Sequence, residues 1–419
     1  MSAVSRHYVL AAGGTGGHLI PAFALAAELH ERGHHVALIT DERGAAIPGK
    51  PDYLTSHVLP PGRIAGKNPI GWIRGVRGVL QGRSMALRLF ESFQPSAVVG
   101  FGGYPALPTM LAARAAKLPI VLHEQNSVLG RVNRYFAGKV DAIATSFGQV
   151  DRLEPQYEDK VTLVGNPVRT EVLKLRDQPF PEFTEDSLFR ILVTGGSQGA
   201  RVLSQVIPEG LAMLPPTMRS RLQVIQQCRP EDIEAVRQRY AVHGIPAELA
   251  TYFEDMAERL ASAHLFIGRA GASTIAELTV VGRPAILIPL PYAMDDHQSA
   301  NTREVVASGG ARVIRQPAIT TEDPETYRGD RKNALLKEQA EIYQKMAKDV
   351  CLQIQAIGKN PQTLGNAAHA AWNCGYPNAA KDLADLVEGF GASPIMDVIR
   401  MEKTMPATGG EALAREQAQ

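Results

Sequence analysis

The sequence predicts an α/β protein of two Rossmann-like domains with parallel sheets. Three observations carry that expectation. Short apolar runs alternate with helix-like stretches along most of the chain, and continuously apolar strands belong in sheets buried on both faces. Four of those runs end directly in glycine-rich turns. Two of the junctions, at the first strand and at Ile191–Ala200, resemble each other about half a chain apart, so each opens its own sheet. A length of 419 residues suits two domains, each able to bury a core.

In chain order, Tyr8–Ala12 is a buried strand running into Gly13-Gly14-Thr15-Gly16-Gly17-His18, with a helix from Ala22 to Leu29. The single basic residue ahead of it, Arg6, and its early break into glycines make it a strand, not a signal peptide. Arg63 to Arg88 holds six basic residues (Arg63, Lys67, Arg74, Arg77, Arg83, Arg88) and no acid. There Trp72, Ile73, Val76, Val79, Leu80 and Leu87 share one helical face, and Gly71, Gly75, Gly78 and Gly82 another. Interior glycines cost roughly 1 kcal/mol each relative to alanine, so this helix needs docking. Either the glycine face packs and the apolar-basic face is free for lipid headgroups, or the apolar face is core.

Ala97–Val99 then runs into Gly100-Phe101-Gly102-Gly103-Tyr104, with a helix from Leu107 to Ala116. Asp177–Leu188, with Pro179, Pro181 and several acids, reads as a linker. Ile191–Val193 enters Thr194–Ala200, and Leu265–Ile267 enters Gly268–Thr274 and a helix from Ile275 to Val281. Beyond Pro317, Thr321–Ala340 reads as a charged insertion, and Ile342–Ile357 returns to helical spacing. The expected units are 1–175, 188–390 with the insertion at about 321–340, and a polar tail over 391–419.

Composition narrows the function classes. Lysine plus arginine is 44 against 43 for aspartate plus glutamate, which argues against a dedicated nucleic-acid binder. No apolar stretch reaches the length of a transmembrane helix. Cys228, Cys351 and Cys374 cannot build a disulfide framework, which suits a reducing compartment.

Glycine-rich turns at the carboxyl ends of parallel strands let backbone approach a phosphate, and the following helix offers unpaired N–H groups. No Walker loop occurs, and the dinucleotide fingerprint fails at Leu19 and again after Gly195, which argues against a dehydrogenase. His18, directly behind the first loop, suits a general base for a phosphate-held substrate, where elsewhere a lone histidine is structural. Glu277, early in a helix, is either a dipole partner or an acceptor for both hydroxyls of a ribose. Asp295-Asp296-His297 lie side by side in a loop and cannot all face one ion, so neither metal nor cofactor is expected.

The matching stretches Gly13–His18, Gly100–Tyr104, His123-Glu124-Gln125-Asn126, Gly165-Asn166-Pro167-Val168-Arg169, Gly195–Arg201, Gly268–Glu277 and His297–Asn301 stand in the order of a known family. Over roughly residues 7 to 317 the chain resembles the MurG family, UDP-N-acetylglucosamine transferases that convert lipid I to lipid II in peptidoglycan synthesis. The resemblance implies a GT-B fold, with UDP-GlcNAc on the carboxyl-terminal domain and the lipid acceptor on the amino-terminal one. It implies that Thr15, Gly16, Gly17 and Asn126 border the donor sugar, and that Arg169 and Ser197 meet the diphosphate. Phe253 would meet the uracil through its backbone, and Ala272, Ser273, Thr274 and Ile275 would bind phosphate oxygens by helix-start N–H groups. Glu277 would hold the ribose, Gln298 a sugar hydroxyl, and His18 would either deprotonate the acceptor or position its diphosphate. It also implies a peripheral place on the cytoplasmic face of the cell membrane, through Trp72, Ile73, Arg74, Val76, Arg77, Leu80 and Arg88 on anionic lipid. Two features depart from the family: Pro105-Ala106-Leu107-Pro108 after Tyr104, and the charged insertion. The rival readings are a UDP-GlcNAc 2-epimerase, another glycolipid glycosyltransferase, or a nucleotide-sugar binder without catalysis. The joint presence of His18, Glu277 and Gln298 argues against the last.

Overall fold

The computed structural model describes residues 5–60, 69–196 and 199–391. Two parallel sheets account for its strands. The first comprises β1 (His7–Ala11), β2 (His35–Thr40), β3 (Thr55–Val58), β4 (Ala97–Gly100), β5 (Ile120–Glu124), β6 (Ala142–Thr145) and β7 (Val161–Leu163), in the order β3-β2-β1-β4-β5-β6-β7. The second comprises β8 (Phe189–Thr194), β9 (Leu222–Gln227), β10 (Ala247–Ala250), β11 (Leu265–Gly268), β12 (Ala285–Leu287) and β13 (Ala311–Val313), in the order β10-β9-β8-β11-β12-β13. The central strands β1, β4, β5, β11 and β12 are buried along nearly their whole length, as their unbroken apolar runs require.

In each sheet the strand order reverses once, at β1/β4 and at β8/β11. A crevice opens outside the carboxyl ends of the strands at such a reversal, and ligands of open α/β sheets bind there. The glycine junctions singled out in the sequence follow these four strands and no others among those described. Glycine is required at Gly13, where an added Cβ would lie 2.6 Å from Pro105 Cβ and 2.9 Å from Asp41 Oδ1. The loops after β1 and β4 therefore press directly together, and the Pro105–Pro108 departure belongs to that packing.

The structure differs from the sequence expectation in three places. Helix Ala379–Gly391 lies within the expected carboxyl-terminal unit, yet Leu383, Ala384 and Val387 are fully buried among Leu10, Leu25 and Val99 of the first sheet's core. Glu388 accepts from Arg32 at 2.6 Å, and His34 lies 2.5 Å from its other oxygen. An apolar stripe shows that a helix packs but not which core receives it, so position in the chain assigned this one wrongly. Second, the charged segment is continuous with the helix that follows it. From Gly329 it is the opening of one helix running to Gly358, anchored by Leu335 and by Gln339, whose Nε2 donates to Ile319 O and Glu322 O at 2.9 and 2.8 Å. Its charges are the solvent face of a long helix. Third, Val79 is buried and Leu87 half-buried, although both were placed on the free face of the basic helix.

That helix runs Pro69–Phe93, and its side chains are described from Ile73 onward. Gly75, Gly78, Val79, Gly82, Ala86 and Phe90 form the packed stripe. At Gly82 a Cβ would come within 3.0 Å of Pro108 Cβ, so the absent side chain lets the helices touch. Ile73, Val76 and Leu80 are exposed by 69%, 40% and 58%, beside exposed Arg74, Arg77 and Arg88. The Trp72 side chain, Arg63, Lys67 and the 392–419 stretch lie outside the described residues. Among those described, no helix is long and apolar enough to cross a membrane.

Candidate active site

On the amino-terminal side, the turn after β1 is held by Asp41, whose Oδ1 accepts from Gly14 N at 2.9 Å while Gly14 adopts φ +85°. Helix Gly16–Glu31 follows an extended Thr15 whose side chain makes no cap, so its leading N–H groups have no side-chain partner. Thr15 and Gly17 are exposed and His18 is half-buried. The ring of His18 reaches across to β5, with Nδ1 2.8 Å from Gln125 Oε1.

Beyond β5 the loop is organised by Glu124, a carboxylate only 2% exposed. It accepts from Asn126 N at 3.0 Å, Asn126 Nδ2 at 3.3 Å, Gly130 N at 2.8 Å and Asn133 Nδ2 at 2.9 Å. Four donors offset the desolvation of the buried oxygens and lock the loop that carries Asn126.

On the carboxyl-terminal side, helix Ala272–Val281 starts behind Gly271 with no side-chain cap. Its positive end and the first free N–H groups, at Ala272–Thr274, suit an anion, whereas the Ile275 N–H, expected to join them, already donates to Gly271 O at 3.0 Å. One turn on, Glu277 Oε1 accepts from Arg169 Nε and NH2, both at 2.9 Å. Burial pushes the Glu277 carboxyl above its usual range, against the opposing pull of Arg169. Two residues given separate roles from sequence are therefore partners. Gln298 Oε1 accepts from Leu290 N at 2.9 Å, which leaves its amide nitrogen to donate outward. The Phe253 ring is buried under Arg259, whose guanidinium carbon lies 4.3 Å from its centre, so this residue has chiefly backbone to offer a ligand. Ser197 lies outside the described residues.

The two sides are joined by Asn301, which is fully buried. Its Oδ1 accepts from Ser127 N at 2.8 Å, and its Nδ2 donates to Asn126 Oδ1 at 3.1 Å and Ala270 O at 3.2 Å. The carboxyl ends of both sheets thus face each other, with Asn126 held next to the loop after β11. Helices Gly16–Glu31 and Ala272–Val281 approach each other across the same gap. Ion pairs flank it: Asp295 takes Arg134 at 3.0 Å and Arg152 at 2.8 Å, and Arg303 grips Asp151 through two bonds of 2.7 and 2.5 Å. Asp295, the residue that tempts a metal assignment, is occupied by arginines from the other half.

Sequence reasoning gave no role to His123, Glu124, Gln125 or Asn301 individually. A signal existed for two of them. Side chains alternate along a strand, so His123 and Gln125 share the face opposite Glu124 and can act together.

Residues 8–145 match the glycosyltransferase family 28 N-terminal domain, and residues 190–354 match the C-terminal domain of the same family. A UDP-N-acetylglucosamine–N-acetylmuramyl-(pentapeptide) pyrophosphoryl-undecaprenol N-acetylglucosamine transferase of Novosphingobium aromaticivorans is 68% identical, covering 98% of this chain and 99% of its own. The transferase of the same name from Erythrobacter litoralis is 65% identical over 96% of this chain and 94% of its own. Among solved structures, Acinetobacter baumannii MurG superposes with a TM-score of 0.69 at 26% identity, covering 92% of this chain and 99% of that one. The paired reversal-point loops and these full-length matches agree, and the chain belongs to glycosyltransferase family 28, among its MurG transferases.

Proposed function

We propose that the chain transfers N-acetylglucosamine from UDP-GlcNAc to the 4-hydroxyl of the N-acetylmuramic acid of lipid I, undecaprenyl-pyrophosphoryl-MurNAc-pentapeptide, forming lipid II. The observation that carries this reading is the opposition of two loops: His18 on one lip, and the uncapped start of Ala272–Val281 on the other, drawn together by Asn301. Thr15, Gly16, Gly17 and Asn126 border the donor sugar between them. The diphosphate lies on the N–H groups of Ala272–Thr274, with the free guanidinium edge of Arg169 beside it, and Ser197 keeps the diphosphate role that the family resemblance implies. Glu277 Oε2 takes the ribose hydroxyls, the Phe253 backbone the uracil, and Gln298 Nε2 a sugar hydroxyl.

Chemically, His18 Nε2 removes the proton from the acceptor 4-hydroxyl as that oxygen attacks the anomeric carbon from the face opposite UDP. The bond from the anomeric carbon to the diphosphate oxygen breaks with inversion, and the helix-start N–H groups take up the developing charge. Holding both sugars in one gap supplies the remaining advantage by orientation.

The protein would work as a peripheral membrane enzyme on the cytoplasmic face, since its acceptor is anchored in lipid. Ile73, Val76 and Leu80, rimmed by Arg74, Arg77 and Arg88, form the surface that meets anionic headgroups, and the sequence pattern adds Trp72 to it. The deciding experiment follows label from UDP-GlcNAc into a lipid I analogue. Transfer in the parent protein, with turnover falling on the order of 10²–10⁴-fold in His18→Ala, supports the reading. UDP release without labelled lipid would replace it with a hydrolase or epimerase.

A further inference from the structure

His18 does not stand alone: its ring is the first member of a buried hydrogen-bonded row. Gln125 Oε1 lies 2.8 Å from His18 Nδ1, Gln125 Nε2 lies 2.9 Å from His123 Nδ1, and His123 Nε2 lies 3.1 Å from the carbonyl oxygen of Gly165. The far end of this row has one solution. A carbonyl can only accept, so His123 Nε2 carries a hydrogen. His123 is fully buried, and that burial pulls its pKa down to about 4, so the ring is neutral and Nδ1 is bare. A bare nitrogen can only accept, so it takes a hydrogen from the Gln125 amide. The other amide hydrogen goes to His123 O at 3.0 Å. With both hydrogens spent on that side, the carboxamide must present its oxygen to His18, and His18 Nδ1 must carry the hydrogen.

We infer that Gln125 and His123 are positioning residues that hold His18 in the Nδ1–H tautomer and so keep its Nε2 lone pair facing the acceptor hydroxyl. The inference rests on the reading of His18 as the base. The surroundings of Nε2 fit it. A Cβ on Gly103, which has φ +76°, would lie 3.4 Å from His18 Nε2 and 3.3 Å from Cδ2, so glycine there keeps the working edge uncrowded. A neutral amide relays direction without placing charge on the ring, unlike a carboxylate, which would stabilise the imidazolium and slow the later release of the proton. Titratable groups near this loop include Glu124, turned to the opposite face of β5, Asp41 and Arg43 at the Gly13–Gly14 turn, and Tyr104, which follows Gly103 in the chain.

The test combines steady-state kinetics with the nitrogen NMR spectrum of histidine-labelled full-length protein, in which a protonated and a bare ring nitrogen resonate far apart. In the parent, His18 Nε2 should appear bare and Nδ1 protonated. Gln125→Leu fills the space but carries no acceptor. It should mix the His18 tautomers and lower kcat on the order of 10²-fold while the KM for UDP-GlcNAc stays within about twofold. Gln125→Glu keeps an oxygen toward His18, so it should retain the tautomer and shift the acidic limb of the kcat profile to higher pH. A parent spectrum with Nε2 protonated overturns the inference. Full kcat in Gln125→Leu, with His18→Ala inactive, overturns it while leaving His18 as the base. Full activity in His18→Ala instead removes the base reading itself.

Discussion

Glu277 engages Arg169 through Oε1 alone, which leaves Oε2 to accept from a ligand. A ribose offers two neighbouring hydroxyl donors, and a carboxylate oxygen left free beside an arginine can accept from both. Losing a hydrogen bond to a charged group costs roughly 1.5–3 kcal/mol. Glu277→Ala should therefore weaken UDP-GlcNAc binding by about 10- to 150-fold, read by calorimetry, with the circular dichroism unchanged. Unaltered affinity would move the ribose elsewhere. At this scale the sequence showed which loops matter, because glycines and a helix-start carboxylate are visible as letters. It did not show that Arg169 and Glu277 are a pair, since 108 positions separate them. Nor did it show that Asn301 stitches two loops together, because its partners lie in distant segments of the chain.

Among the elements, the helix Ala379–Gly391 diverges most from expectation. Its apolar spacing made it legible as a helix that packs, and nothing local distinguished the first core from the second. The same limit hid the join between the charged segment and the helix to Gly358. Thirty residues with polar opening turns read as two pieces until Leu335 and Gln339 are seen to be buried. The strands were easier, because an unbroken apolar run ending in glycine has few other meanings. Leu383 sits fully buried among first-sheet residues, so Leu383→Ala should cost about 2–5 kcal/mol in urea unfolding. A cost near zero would show that the helix rests on the surface of that core. The accompanying ion pairs at Arg32 are partly exposed and contribute less than the apolar contacts.

For the whole molecule, the exposed arginines on the Pro69–Phe93 helix should govern where the enzyme resides. Each basic residue near an anionic bilayer contributes about 1 kcal/mol, and the attraction fades over a Debye length. Replacing Arg74, Arg77 and Arg88 together by glutamine should release the protein from vesicles at physiological salt and leave any residual binding less sensitive to salt. Activity on a short-chain soluble acceptor should persist, because the reacting groups lie on other elements. Sedimentation with vesicles across a salt series reads this, and unchanged binding at every concentration would return the helix to a purely structural role. The return of Ala379–Gly391 to the first sheet has a mechanical corollary. The chain crosses between the halves twice, near Gly165 and near Tyr376, and the two crossings touch: a Cβ on Gly165 would fall 2.2 Å from that of Tyr376. Two connections that meet at one point act as a single hinge region between the halves. The halves also meet through the Asn126–Asn301 and Asp151–Arg303 bonds, side-chain contacts that an opening about that point would part while leaving the strand ladders of each sheet in register.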